Sequence, residues 1–471
     1  MKTLLGPRKS VESSAAPGER LKAALSWPHL VALGVGAIVG TGIYTLIGVG
    51  AERAGPAVIL AFLVAGAVCA CAALAYAEMA TLMPAAGGAY TYTYAVLGET
   101  LAWIVGWSLI LEYSLACSTV AVGWSGYLVG WLRAAGVHLP EVLLNGPHAG
   151  GLVNLPAVLV SLAIAAMLTL GTRESATLNI VLVVIKMVAL AAFVALAMPA
   201  FDVAHLHPFM PYGFASHTDG GQTRGVMAAA AVVFFAFYGF DAVATSAEEA
   251  RNPARDLTIG IIGSMAVCTL IYILVAVAAI GALPFTALGQ SAEPLALVLR
   301  ALGHPFASWA IAGAALVALP SVILVMMYGQ SRIFFVMARD GLLPPVLARV
   351  SARSGTPRLV TMITGGFVAA VAGFFRLDEI AELANAGTLL AFIAVGLSMM
   401  VLRRRAPDLA RIFRCPAPYV VGTLAVVGCL YLMASLPGKT LVRFAEWNAV
   451  GLAVYLAYGR TRSLLAQRLS N

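Results

Sequence analysis

Residues 180–198 form an apolar run with a single charge, Lys186. An ammonium at membrane depth costs several kcal/mol by insertion scales. Such a group must face an interior with a polar partner or shed its charge. Snorkelling to an interface is the alternative, and the apolar residues on both sides make it a long reach. Three carboxylates stand in similar runs: Asp241, Glu112 and Glu78. Buried amines and acids of this kind suit the uptake and release of a proton. Asp241 and Glu112 are expected to hydrogen-bond together with one of them protonated, although mere packing reads equally well. Glu78 is expected to pair with an arginine on the inner side as a structural or gating contact.

A second chemical resource is the main chain. Gly34, Gly36, Gly40 and Gly42 fall at even spacing in Gly34-Val-Gly-Ala-Ile-Val-Gly-Thr-Gly42. Each glycine costs a helix about 1 kcal/mol relative to alanine. Close helix packing in lipid would explain them. A broken helix explains them better, because Thr41 adds a hydroxyl to the free N–H and C=O groups that would line a cavity. The segment Phe234-Phe-Ala-Phe-Tyr-Gly-Phe-Asp-Ala242 places Gly239 beside Asp241 and is the second expected break.

Other chemistries lack their residues. Six of the seven histidines (His138, His148, His205, His207, His217 and His304) fall in or beside outer loops, so none serves a site at membrane depth. His205-x-His207 could touch a metal, and a solvated loop is the expected reading. The six cysteines form no CxxC pair, so no disulfide framework and no metal site is expected.

The elements that carry these groups follow from composition. Of 471 residues, 61% are hydrophobic and 11% charged, against about 25% charged in soluble domains. A soluble enzyme, a nucleic-acid binder and a disordered chain are excluded. Runs of about 20 apolar residues are needed to cross a bilayer as helices. Twelve such runs occur, near 30–50, 56–82, 101–132, 154–171, 176–199, 226–246, 257–281, 306–336, 358–376, 380–402, 416–436 and 445–460. Residues 1–28 contain no apolar stretch typical of a secretion signal, so the first run is expected to remain as a span. With both termini inside, twenty-one of the 29 Lys and Arg residues lie on the inner side and seven on the outer. That bias fixes the orientation and accounts for the net charge of +8 without a nucleic acid. The expected breaks lie in runs one and six. The two are five runs apart, as in a five-helix unit repeated with inverted topology.

The chain resembles the amino acid–polyamine–organocation (APC) superfamily, and within it bacterial relatives of the cationic amino acid transporters. The resemblance rests on Gly34 to Tyr44, on Tyr76-Ala-Glu-Met-Ala80 with Pro84-Ala-Ala-Gly-Gly-Ala-Tyr90, and on Trp107-Ser-Leu-Ile-Leu-Glu-Tyr113. It continues through Phe234 to Asp241 with Glu248-Glu249-Ala-Arg-Asn-Pro253, and through Gly329-Gln-Ser-Arg332 with Ala338-Arg-Asp-Gly-Leu-Leu-Pro344. It implies an all-α membrane protein with 12 transmembrane helices. These form a LeuT-type 5+5 inverted repeat with broken helices 1 and 6, plus two extra C-terminal helices. The expected divisions are a cytoplasmic tail over 1–28, a first half over 29–199, an outer loop over 200–225, a second half over 226–405, and the last two helices with a short cytoplasmic end over 406–471.

The resemblance also implies secondary transport of an amino acid by alternating access in the cell membrane. The amides of Gly40, Thr41 and Gly42 would meet the carboxylate at the positive end of the outer half-helix. Carbonyls near Ile38 and at Phe235 and Ala236 would meet the ammonium. A helix-interior role for Thr41, bonded to its own backbone, is the competing reading. Phe235 is the expected lid. Tyr238 stands where relatives carry a smaller aliphatic residue, and it should narrow or polarise the pocket. Lys186 matches a fifth-helix lysine that replaces the sodium of related carriers. Its amine is expected to reach carbonyls of residues 37–40 and Ser321, and to carry the coupling proton. No sodium site and no cofactor are expected. The segment 284–304, with a helical pattern over 294–302, is expected by the fold analogy to act as an outer lid, with a passive loop as the alternative. The leading expectation is proton-coupled transport of small neutral L-amino acids, alanine-like. A cationic amino acid or polyamine exchanger is the nearest alternative. A channel would need pore rings, and a membrane enzyme a nucleophile–base pair; neither is visible. The bilayer and a small-molecule substrate are the expected partners, and a small membrane subunit is left open.

Overall fold

The computed structural model of the protein describes residues 25–84, 87–170, 176–219, 221–245, 250–349, 358–465 and 467. The tail through residue 24, Arg173, Arg353 and the Glu248-Glu249 pair lie outside the described residues. In hydrocarbon every backbone polar group needs an internal partner, so apolar runs become helices. In chain order the first elements are α1 (Trp27–Ile38), α2 (Thr41–Tyr44), α3 (Leu46–Ala54), α4 (Val58–Leu82), α5 (Gly88–Val96), α6 (Glu99–Ala134), α7 (Leu155–Leu170) and α8 (Ala176–Ala197). A small antiparallel hairpin, His217–Asp219 with Gln222–Arg224, sits in the 200–225 loop. There follow α9 (Val226–Val233), α10 (Asp241–Thr245), α11 (Pro253–Ala282), α12 (Phe285–Gly289), α13 (Pro294–Ala301) and α14 (Pro305–Arg339). The last are α15 (Arg358–Phe374), α16 (Leu377–Arg405), α17 (Pro418–Ala434) and α18 (Gly438–Val454).

Each of the twelve expected runs coincides with helix. Yet only seven helices among the described residues are individually long and apolar enough to cross a membrane, or eight if the α17–α18 pair, bent by 111°, is one span. The difference has three physical sources. The first run is interrupted, so its outer part runs on into α4 as one stretch, Leu46–Leu82. Helices α7 and α15 are short. The last two runs meet at a sharp bend.

The core is built around α6, which α14 and α16 flank, while α11 packs on α1 and α4. Pro320 lies inside α14 and has no N–H to give the carbonyl four residues earlier. That carbonyl, on Leu316, accepts instead from Trp124 Nε1 of α6 at 2.9 Å. The proline thus creates an acceptor, and the neighbouring helix uses it.

Glu78 has the arginine partners expected of it. Arg403 of α16 grips it in two-pronged fashion at 2.8 and 2.7 Å, and Arg411 Nε adds a third contact at 3.2 Å. The Cys415 amide donates at 2.8 Å. Burial, then the adjacent carboxylate, pushes the Cys415 thiol up to about 12, so it stays neutral there. Removing one side of a buried ion cluster costs about 3–5 kcal/mol. Glu78→Gln is therefore expected to lower the unfolding temperature of the detergent-solubilised protein sharply. Glu379→Gln, which loses half-exposed Lys439 and Arg443, serves as the comparison and should shift it little.

At the opposite end of α16, Glu382 accepts from Arg53 at 2.5 Å and from Thr440 at 2.8 Å. The segment 284–304 folds into α12 and α13. It packs on α3: a Cβ on Gly48 would lie 2.7 Å from the Leu288 carbonyl oxygen.

Candidate functional site

The first break falls at the glycines. Helix α1 ends at Ile38, Val39 turns to ψ 95° and Gly40 to ψ −149°, and α2 starts at Thr41. The Ile43 and Tyr44 amides turn back to the Gly40 carbonyl at 3.3 Å, while those of Thr41 and Gly42 stand at the helix start, where regular helix geometry offers no acceptor. The carbonyls before the break find side chains from other helices. Lys186 Nζ, fully buried on α8, donates to the Gly36 oxygen at 2.8 Å. Tyr272 OH of α11 donates to the Ile38 oxygen at 2.8 Å. The lysine thus meets a carbonyl one residue before the expected 37–40 stretch. The Ser321 hydroxyl turns back to the Ala318 carbonyl at 2.7 Å. The outer half-helix also differs from expectation. A kink at Thr45 divides it into α2 and α3, so the local N–H groups, rather than a long aligned dipole, are what remains for an anion.

The second break follows α9. A 3₁₀ turn covers Phe234–Phe237, Tyr238 is extended, and Gly239 takes φ +122°. That conformation favours glycine, and the space agrees, since a Cβ there would sit 2.9 Å from the Ala37 carbonyl carbon. On the other side a Cβ on Gly42 would lie 2.2 Å from the Ala236 Cα. The two breaks therefore touch at both Ala37–Gly239 and Gly42–Ala236.

Between them is a small, narrow cavity. Ile38, Gly40, Thr41 and Gly42 line it from the first break, and Phe235 and Tyr238 from the second. Ala116 and Val120 of α6 with Val322 and Met326 of α14 form an apolar wall. Ala236 contributes its backbone contact with Gly42 and does not line the space. The Thr41 and Tyr238 hydroxyls are buried without a hydrogen-bond partner, so Thr41 is not bonded to its own helix. The Tyr238 ring packs against Phe235 and edge-on to Tyr113.

Asp241 and Glu112 are neighbours without the expected mutual bond. Asp241 accepts from Tyr113 OH at 2.7 Å. Both Glu112 oxygens lack a hydrogen-bond partner, with the Tyr238 and Thr388 side chains beside them. Their helices present the two carboxylates to different hydroxyls. Tyr272, Asn385 and the α6 and α14 wall escape a reading by sequence. Tyr272 and Asn385 were readable only as lone polar side chains in apolar runs. Among the described residues no cluster of three or more His, Cys, Asp or Glu could hold a metal.

Two interrupted helices closing on a small buried cavity in a many-helix membrane protein suit the passage of a solute. Residues 25–457 match the family model of the amino acid permeases, and the chain belongs to that family, within the APC superfamily. It is an integral multi-pass membrane protein of amino acid transport. It is 43% identical to the branched-chain amino acid permease of Bacillus subtilis (strain 168), over 99% of this chain and 100% of the relative. A methylthioribose transporter of the same organism is 39% identical over 96% of this chain and 97% of its own length. A vacuolar cationic amino acid transporter of Arabidopsis thaliana is 37% identical over 85% of this chain and 63% of its own length.

Proposed function

We propose that this permease carries small neutral aliphatic L-amino acids, from alanine to the branched-chain side chains, by proton-coupled alternating access. Twelve spans form a LeuT-type arrangement of two inverted halves, 29–199 and 226–405, in the cell membrane with both termini cytoplasmic. The threefold excess of inner Lys and Arg supports that orientation. The substrate carboxylate is met by the amides of Gly40, Thr41 and Gly42, with the unpartnered Thr41 hydroxyl as a further donor. The ammonium is met by the second lone pair of Ile38 O and by Phe235 O, which also accepts a 3.4 Å bond from the Tyr238 amide. Phe235 closes over the side chain and Tyr238 walls it. Lys186 holds the first break through Gly36 and carries the coupling proton, and Asp241 and Glu112 are further buried acids of the same machinery. No sodium is required in this reading, because the Lys186 amine supplies the donor at the first break.

The observation that carries this reading is the contact of the two breaks around one cavity whose lining holds no carboxylate. A cationic side chain would lack a partner there. One observation favours the second reading, a cationic substrate: the unpartnered Glu112 carboxylate stands beside Tyr238. Uptake of radiolabelled alanine, valine, leucine and arginine into proteoliposomes, with and without an imposed proton gradient, separates the two. Gradient-driven accumulation of alanine and valine, with weak competition by arginine, is expected. Preferential arginine uptake would transfer the conclusion to the second reading.

A further inference from the structure

The second break has external support of its own from α16. When α9 gives way to a 3₁₀ turn at Phe234, its last carbonyls lose the regular donors four residues on. Asn385 Nδ2, fully buried, donates to two of them, Ala231 O at 2.7 Å and Val232 O at 3.1 Å. Its own Oδ1 is left without a partner. An apolar residue of similar size would fill the place with no orphaned oxygen, so packing alone is a poor account of the amide. Two turns along α16, the Phe392 ring lies against Phe234 and Phe240, which flank the break, with ring centroids 5.7 and 5.1 Å away. Helix α16 is itself held close to α6. A Cβ on Gly387 would lie 3.0 Å from the Glu112 Cβ and 3.1 Å from Ser108 O.

We infer that Asn385 is a positioning residue for substrate binding. It caps the half-helix that ends at Val233 and thereby fixes where Phe235, Ala236 and Tyr238 stand. The role parallels that of Lys186 and Tyr272 at the first break, where side chains from other helices also take up the freed carbonyls. Asn385 does not line the cavity, so it acts through the backbone of the segment it caps. This inference rests on the proposed amino acid seat.

The test uses the full chain in proteoliposomes with L-[3H]valine as probe. Asn385→Leu removes the donor at similar volume. The half-saturation concentration is expected to rise about tenfold, the loss typical of a buried hydrogen bond whose acceptor is left behind, and to change more than the maximal rate. Thr440→Val, which removes a contact to α16 outside the seat, should leave it within about twofold of wild type, a margin below the effect of one net hydrogen bond. A merely structural role would lower the yield of folded protein and leave the affinity of the folded fraction unchanged. An Asn385→Leu value inside that same margin overturns the inference. Should Asn385→Leu not fold, Asn385→Asp, which keeps the shape and loses the amide donor, gives the same readout. If wild type takes up no valine, the proposed function fails, and hydrogen exchange in nanodiscs decides the inference alone. Faster amide exchange over residues 231–240 in the variant supports it, and unchanged exchange overturns it.

Discussion

Replacing Lys186 by alanine is expected to abolish proton-driven accumulation while leaving some substrate binding and exchange. The amine is fully buried and donates to the Gly36 carbonyl at 2.8 Å. In an unbroken helix that carbonyl would receive the Gly40 amide, four residues on. The break withdraws Gly40, and Lys186 takes its place. Loss of the proton changes both the charge and the donor count of the group that holds the first break, so protonation and the shape of the seat are linked. An alanine removes that link and leaves the main-chain donors of the seat untouched. Accumulation of labelled substrate in proteoliposomes with an alkaline interior should fall to the equilibrium level, while counterflow exchange persists. Uptake that is unaltered by the substitution and indifferent to a proton uncoupler would end the coupling claim.

Gly42→Leu is expected to eliminate binding. Even the first carbon of a side chain at this position would lie 2.2 Å from Ala236 Cα and 2.8 Å from Ala236 N. Those are main-chain atoms, so no rotamer change relieves the contact. The breaks must separate, and the amides of the first then lose their alignment with the carbonyls of the second. Misplacing interacting groups by an ångström can cost about a hundredfold, and the displacement here is at least of that order. Equilibrium binding of labelled valine or alanine to purified protein measures it, with melting temperature recorded in parallel to separate misfolding from a lost seat. Wild-type affinity in a folded Gly42→Leu protein would remove Gly42 from the site.

What the sequence made legible was local. Alternating glycines in an apolar run announce a place where helix is disfavoured, and the chain breaks there, between Ile38 and Thr41. The lone Lys186 announces a buried partner, and one is present. The identity of that partner was not readable. Gly36 lies 150 positions away, and the register of one helix against another is set by packing that no local pattern records. The same reason hid the fate of Ser321, whose hydroxyl folds back on its own helix, and of Asp241, which found Tyr113 rather than Glu112. Asn385 escaped because an amide in an apolar run has no periodic signature. It acquires meaning only where it meets a helix end formed by residues 231 and 232. Family resemblance supplied roles for Phe235 and Tyr238, but the α6 and α14 wall of the cavity came from tertiary structure alone.

The main-chain make-up of the seat has a consequence for how the transporter would answer to its medium. No residue lining the cavity changes charge between about pH 5 and 8. Acidity would therefore reach the grip on a zwitterion only indirectly, through Lys186 behind the seat. Any change of equilibrium affinity with acidity should then disappear in Lys186→Ala, while in the unaltered protein the direction of net flow follows the proton gradient.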